Sequence, residues 1–131
     1  MAQVASPASP SNAMLWTGRI LSGLTSLMFL SSLPMVIFAR NKIDEGMNKY
    51  GYSHTAGTAI ICAEFIIGVL TAIPQTAVFG VVLMTAYLGG AVSTHVRAGE
   101  PFFIPIIFAC LAWLGIYLRD PRLRALLPIR K

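Results

Sequence analysis

The chain has 131 residues and a net charge of +5, with 56% hydrophobic side chains and only 11% charged ones. Soluble domains carry about twice that share of charge, and a globule of this size could not bury so much apolar surface, so the solvent reads as lipid. A nucleic-acid partner is excluded by where the charge sits. Five of the ten basic residues, Arg119, Arg122, Arg124, Arg130 and Lys131, crowd the last thirteen positions, as a juxtamembrane anchor facing anionic lipid does.

Residues 1–13 are rich in Ala, Ser and Pro and read as a flexible tail. They lack the basic start of a cleaved signal peptide. An uncleaved first membrane helix is expected over 14–39, kinked at Pro34, and its Ile20–Ala39 stretch has no charge at all. Residues Arg40–His54 form the one sizeable polar loop, with a short interfacial helix expected over Lys42–Tyr50 and a turn at Gly51. The second helix is expected over 55–73, the third over 76–96 and the fourth over 102–118, each near the ~20 residues that cross a hydrocarbon layer. Pro74-Gln75 makes a tight connection, so helices two and three should be antiparallel neighbours. Asp120-Pro121 stops helix four and leaves 120–131 as a basic tail. The expected fold is therefore all-α, an antiparallel integral membrane four-helix bundle in one domain over 14–119. The face with both termini holds six Lys and Arg residues and the opposite face four, which places both termini in the cytoplasm.

Within these spans, Glu64 is the most informative residue. It stands near the middle of the second span, where an ionised carboxylate costs about 2.5 kcal/mol or more, so it should face the interior and find polar company. Tyr87 sits at matching depth on helix three and offers a hydroxyl that needs a partner when buried. Tyr87, Gly90 with Ala91, Thr94 and Arg97 trace one helical face, and His95 lies one step around from Thr94. Gly89-Gly90 would let a backbone or a flat ligand approach. Together these residues predict a polar pocket open toward Arg97, with Glu64, Tyr87 and His95 as its candidates for chemistry and Glu64, Tyr87, Gly90, Thr94, His95 and Arg97 as its ligand-binding set.

Other polar residues have plainer readings. Arg19 is expected to snorkel to lipid phosphates. Gly18, Ser22 and Ser26, with Thr25, Phe29 and Ser32 beside them, are expected to make a close helix contact. His54 is expected in solvent, and Cys62 and Cys110 as buried inert thiols lying at similar depths. Phe102, Phe103, Trp113 and Tyr117 read as lipid-facing and interfacial aromatics. No Cys/His grouping has metal-ligand spacing, so no metal site is expected.

The run Glu64-x3-Gly68-x5-Pro74, the string Thr85-Ala86-Tyr87-Leu88-Gly89-Gly90-Ala91-Val92-Ser93-Thr94-His95-Val96-Arg97 and the ending Trp113-Leu114-Gly115-x2-Leu118-Arg119-Asp120-Pro121-Arg122-Leu123-Arg124 resemble the DoxX-like family of small bacterial membrane proteins. The resemblance covers about Leu15 to Leu126. It implies a multi-pass protein of the bacterial cytoplasmic membrane, with pattern positions at Glu64, Tyr87, Gly89, Gly90, Thr94, His95 and Arg97. Relatives include a quinone-linked thiosulfate oxidoreductase subunit and proteins of redox and thiol homeostasis, so a redox-associated role and a quinone ligand are the expectations it adds. The alternatives are a non-catalytic accessory subunit of a larger membrane complex, held to a protein partner or a second copy, and a small isomerase or hydrolase with Glu64 as its acid–base group.

Overall fold

The computed structural model describes residues 9–127; the start of the expected N-terminal tail, and Arg130 and Lys131 at its C-terminal counterpart, lie outside the described residues. Seven helices and no strand make up the described residues. Helix α1 (Asn12–Leu30) starts at Ser11, whose hydroxyl accepts the Met14 N–H at 3.3 Å. It stops at Ser31, and α2 (Ser32–Phe38) resumes one residue later. Pro34 explains the break, because it has no N–H for the Leu30 carbonyl and its ring crowds the preceding turn. The hydroxyls of Ser31 and Ser32 donate back to the carbonyls of Met28 and Phe29, both at 2.7 Å, which steadies the loosened turn. The expected kink is thus a one-residue loosening at Ser31, three residues upstream of the proline, with the backbone still right-handed and the run still continuous.

Helix α3 (Arg40–Lys49) occupies most of the polar loop, two residues longer at its start than the sequence pattern suggests. Helix α4 (His54–Ala72) begins at Ser53, whose hydroxyl accepts the Ala56 N–H at 3.2 Å. Helix α5 (Ala77–Ala98) and α6 (Phe103–Arg119) follow after short turns. A further helix, α7 (Pro121–Leu126), occupies part of the expected tail. Asp120-Pro121 does end α6, but the same pair starts α7. The Asp120 carboxylate accepts the Arg122 N–H at 2.9 Å, and proline is at ease in a first turn, where no N–H is needed.

Three helical runs are long and apolar enough to cross a membrane: α1 continued by α2 over 27 residues, α4 over 19 and α5 over 22. The apolar α6 is shorter, at 17 residues. Their outer faces carry large apolar side chains in the open, among them Trp16, Leu24, Leu27, Phe79, Ile104 and Ile107, as helices bathed in lipid do. Each long helix packs on two neighbours. Helix α1 lies against α6 and α4, and α5 against α4 and α6, so the four close into a ring in which α1 faces α5 across the core. Phe29, Val81, Met84, Ala112 and Ile116 fill the centre.

Glycine sets how closely the ring shuts. A Cβ on Gly115 would stand 2.7 Å from Ser22 Oγ, and one on Gly18 would stand 2.7 Å from the Gly115 carbonyl. The Gly18, Ser22, Ser26 stripe is therefore buried where α1 meets α6, as its spacing suggests. Across the ring, a Cβ on Gly80 would stand 2.6 Å from Thr71, so α4 and α5 are drawn together in the same way. Cys62 and Cys110 contradict expectation. Both are exposed on the outer surface, and α4 and α6 do not touch, so the thiols neither bury nor meet. A thiol behaves as a small hydrophobe, and lipid exposure costs it little.

Gly115→Ala should lower stability by about 1–3 kcal/mol, the scale of overpacking at a site that cannot relax. Gly89→Ala, where nothing lies within 4 Å, should leave stability unchanged or slightly raised. Unfolding of both variants in detergent checks this; equal effects would remove the close approach of α1 and α6 from the account.

Candidate functional site

Two glycines in the left-handed region aim the site residues. Gly51 (φ 81°) stands just beyond α3, where Tyr52 N–H bonds the Met47 carbonyl and Gly51 N–H that of Asn48. Gly99 (φ 70°) stands just beyond α5, where Glu100 N–H bonds the His95 carbonyl and Gly99 N–H that of Val96. Both are the same glycine-terminated helix ending, in which the chain doubles back over its last turn. One ending places Tyr50 and Tyr52, the other Glu100, and the two face each other.

The Glu100 carboxylate is where they join. Lys49 donates to Oε1, Tyr50 OH donates to Oε2 at 2.6 Å, and His95 Nδ1 lies 3.2 Å from Oε2. These donors hold the Glu100 carboxyl well below the usual carboxylate range, at about 2, the Lys49 and Tyr50 hydrogen bonds being the largest causes. The same bonds push Lys49 and Tyr50 upward. The Tyr50 ring also meets the His95 ring edge-on at 5.8 Å. Arg97 Nη2 donates to the Tyr50 carbonyl at 3.3 Å, and Tyr52 OH and Thr94 Oγ1 lie 2.8 Å apart.

At its other end α3 is fixed to α4. Arg40 reaches Asp44 at 3.2 Å, Thr58 Oγ1 at 2.8 Å and the His54 ring at 2.7 Å, while His54 Nδ1 lies 3.2 Å from the Asp44 carboxylate. His54 is exposed, as expected, but it is tied into this cluster rather than left to solvent alone. Between the two ends Met47 rests on the bare backbone of Gly57 in α4. The polar loop is thus a strap tied down at both ends.

Beneath the strap lies a half-open cavity of about 350 Å³. Met47, Tyr50 and Tyr52 form its strap side, Ile60 its α4 side, and Ala86, Tyr87, Gly90, Ala91, Thr94 and His95 its α5 wall. Deeper in the bundle, Tyr87 OH donates to Glu64 Oε2 at 3.2 Å, and the Tyr87 ring meets Phe29 edge-on at 5.3 Å. Glu64 does not line this cavity. It opens into a second one of about 300 Å³, shared with Ser31, Ser32, Met35, Ile43 and Met47. The Glu64–Tyr87 pair is therefore a partition between two chambers, and Met47 borders both.

Of the expected ligand-binding set, Tyr87, Gly90, Thr94 and His95 line one cavity together, and Glu64 is bonded to it through Tyr87. Arg97 is outside the cavity lining: ten residues on from Tyr87 it stands about 80° round the helix, and its Nη2 bonds the Tyr50 carbonyl of the strap. Gly89 and Gly90 have nothing of this chain within 4 Å, so the close approach their pairing suggests is not made within the bundle. Trp113 is more than a lipid-facing aromatic: it packs against the core and donates to Thr85 Oγ1 at 2.8 Å, since an indole N–H away from water needs an acceptor. Tyr117 likewise packs against the core. Sequence reasoning missed Met47, Tyr50, Tyr52 and Glu100 as site residues. The repeated helix-then-glycine pattern at Tyr50-Gly51 and Ala98-Gly99, on the same side of the bundle, was the available signal.

A model of the DoxX-like family matches residues 20–115, well over half of the chain, and the chain belongs to that family as a membrane protein. No curated protein and no solved structure matches it.

Because Glu100 titrates below its ordinary value, its bonds stabilise the folded strap fully above about pH 4.5 and are lost as pH falls from there toward about 2. Hydrogen exchange should show α3 amides loosening over that window before those of α4 and α5. Glu100→Gln should show the same loosening already at neutral pH, and an α3 that stays protected in this variant would contradict the role given to Glu100.

Proposed function

We propose that this DoxX-like protein binds a small, flat, mostly apolar molecule with hydrogen-bond acceptors at its rim, a quinone-like ligand, in the cavity under the α3 strap. One observation carries the reading: a cavity of ligand size whose wall is mainly apolar and whose few polar groups converge. Tyr87 OH reaches in from the floor, and Tyr52, Thr94 and His95 stand near the mouth. Gly90, lacking a side chain, leaves a flat patch of wall on which a ring can lie. A Glu64 carboxyl that carries its proton donates to the Tyr87 oxygen and leaves the Tyr87 proton for a ligand carbonyl, and a quinone reduced by an outside electron donor would draw its protons through this pair, which is the redox-associated part of the proposal. In this reading α6 crosses the bilayer as a fourth span, the membrane is the bacterial cytoplasmic one, and both termini lie on its cytoplasmic face.

One observation favours a second reading. The open backbone at Gly89, on the outside of α5, suits a helix of another protein or of a second copy, as an accessory subunit requires.

A short-chain benzoquinone should raise the melting temperature of the detergent-purified protein. Tyr87→Phe should keep the fold and bind roughly fivefold more weakly, the scale of one neutral hydrogen bond. An unshifted native protein, or equal shifts in native protein, Tyr87→Phe and His95→Gln, would overturn the proposal.

A further inference from the structure

At the opposite end of the bundle the ring is cationic, and nothing in the quinone reading uses it. Arg19 near the start of α1 and Arg119 at the end of α6 line the same two adjoining cavities, of about 250 and 450 Å³, beside the Pro74 turn and along the seam of α1 and α4. Gly18 makes this convergence possible, since a Cβ there would stand 3.0 Å from the Cβ and backbone nitrogen of Arg119. Two guanidinium groups are thereby set side by side in a place that repels them.

The compensation expected for such a pair is only partial among the described residues. Arg119 Nη2 is buried without a hydrogen-bond partner. Asp120, its chain neighbour, lines the smaller cavity and offsets one of the two charges, while its Oδ1 accepts the Arg122 N–H. Arg19 is exposed and lies over the Trp16 ring at 5.4 Å. The larger cavity holds two more orphans: Ser22 and Ser26 are each only 4% exposed, both line it, and neither hydroxyl has a partner. A buried donor without an acceptor costs about 1–3 kcal/mol, and more when charged, so three of them along one groove point to an acceptor that arrives from outside.

The shape of the groove says which kind. From the arginines it runs along Leu27 and Leu30, toward the lipid side of α1, where Leu24 and Leu27 are in the open. A cationic head joined to an apolar track at a membrane boundary matches an amphiphile with an anionic phosphate. The basic side chains of α7, Arg122 and Arg124, sit at the same end and add attraction at longer range. We infer that Arg19, Arg119, Ser22 and Ser26 form a stoichiometric site for an anionic phospholipid, its phosphate held between the two guanidinium groups and an acyl chain lying along Leu27 and Leu30. The guanidinium groups donate to the phosphate oxygens in bidentate fashion, and the serine hydroxyls add further donors.

The test uses the full chain in neutral detergent, by native mass spectrometry and thermal shift, with phosphatidylglycerol, phosphatidylcholine and inorganic phosphate as probes. Phosphatidylglycerol should be retained roughly tenfold better than phosphatidylcholine, on the scale that basic side chains contribute near anionic lipid. It should raise the melting temperature, and free phosphate should not. The combined Arg19→Gln, Arg119→Gln variant should lose the preference, while Lys42→Gln, at the other end of the bundle, should keep it. Equal retention of the two lipids, or a preference intact in the arginine variant, would overturn the site; stabilisation by free phosphate equal to that by phosphatidylglycerol would overturn the lipid as its occupant. Should the arginine variant fail to fold, Ser26→Ala decides, since a smaller preference supports the site and an unchanged one removes it.

Discussion

The Glu100 carboxylate is the charged centre of the contact that holds the end of α3 to the end of α5. Three donors reach it, Lys49 and Tyr50 from the end of α3 and His95 from the last turn of α5. Without it the far end of α3 would keep only the neutral Tyr52–Thr94 contact, the Arg97 bond to the Tyr50 carbonyl and the packing of Met47, and a helix this short does not persist on its own propensity. With it, the cavity below acquires a roof. The Glu100 titration is depressed by those donors, and their convergence depends on two helix endings turning in compatible directions. Gly51 and Gly99 supply those turns, so the roof rests on two residues that contribute no side chain.

The interior follows a different rule from the roof. Among the long helices, contact comes from the removal of side chains rather than from their attraction, as expected where lipid offers no hydrophobic drive between apolar surfaces. Gly18 and Gly115 let α1 and α6 touch, and Gly80 lets α5 approach Thr71 on α4. Polar side chains in the spans answer their own helix first: Thr25, Thr71 and Thr85 all bond carbonyls one turn back. Glu64 has no such option, because a carboxylate cannot donate to a carbonyl, and it turns to Tyr87 on the neighbouring helix. The one polar link the sequence suggests across the core is also the one a carboxylate requires.

The spans were legible in the sequence because their signal is local. Uncharged windows, the Pro74 connection and the depth match of Glu64 with Tyr87 all follow from counting along the chain. The strap's role was not legible, since the value of Lys49 and Tyr50 depends on Glu100 some 50 residues away and that of Tyr52 on Thr94, and no periodicity encodes those pairings. Arg97 stands off the cavity lining although the sequence groups it with Tyr87 and Thr94, because at about 100° per residue ten positions carry it roughly 80° round the helix from Tyr87. The cysteines and Trp113 show the limit of residue-type expectation. In lipid a thiol is free to face outward, whereas an indole N–H is under pressure to turn inward.

Met47 stands between the chamber beneath the strap and the one that holds Glu64. Its thioether is unbranched and readily changes rotamer, so this stretch of wall is soft where the rest is helical backbone. A bulky guest on the Tyr87 side would press the sulfur toward Glu64 and shrink the space there. The two compartments accordingly trade volume across a compliant septum, and occupancy of either one bears on what the other can admit.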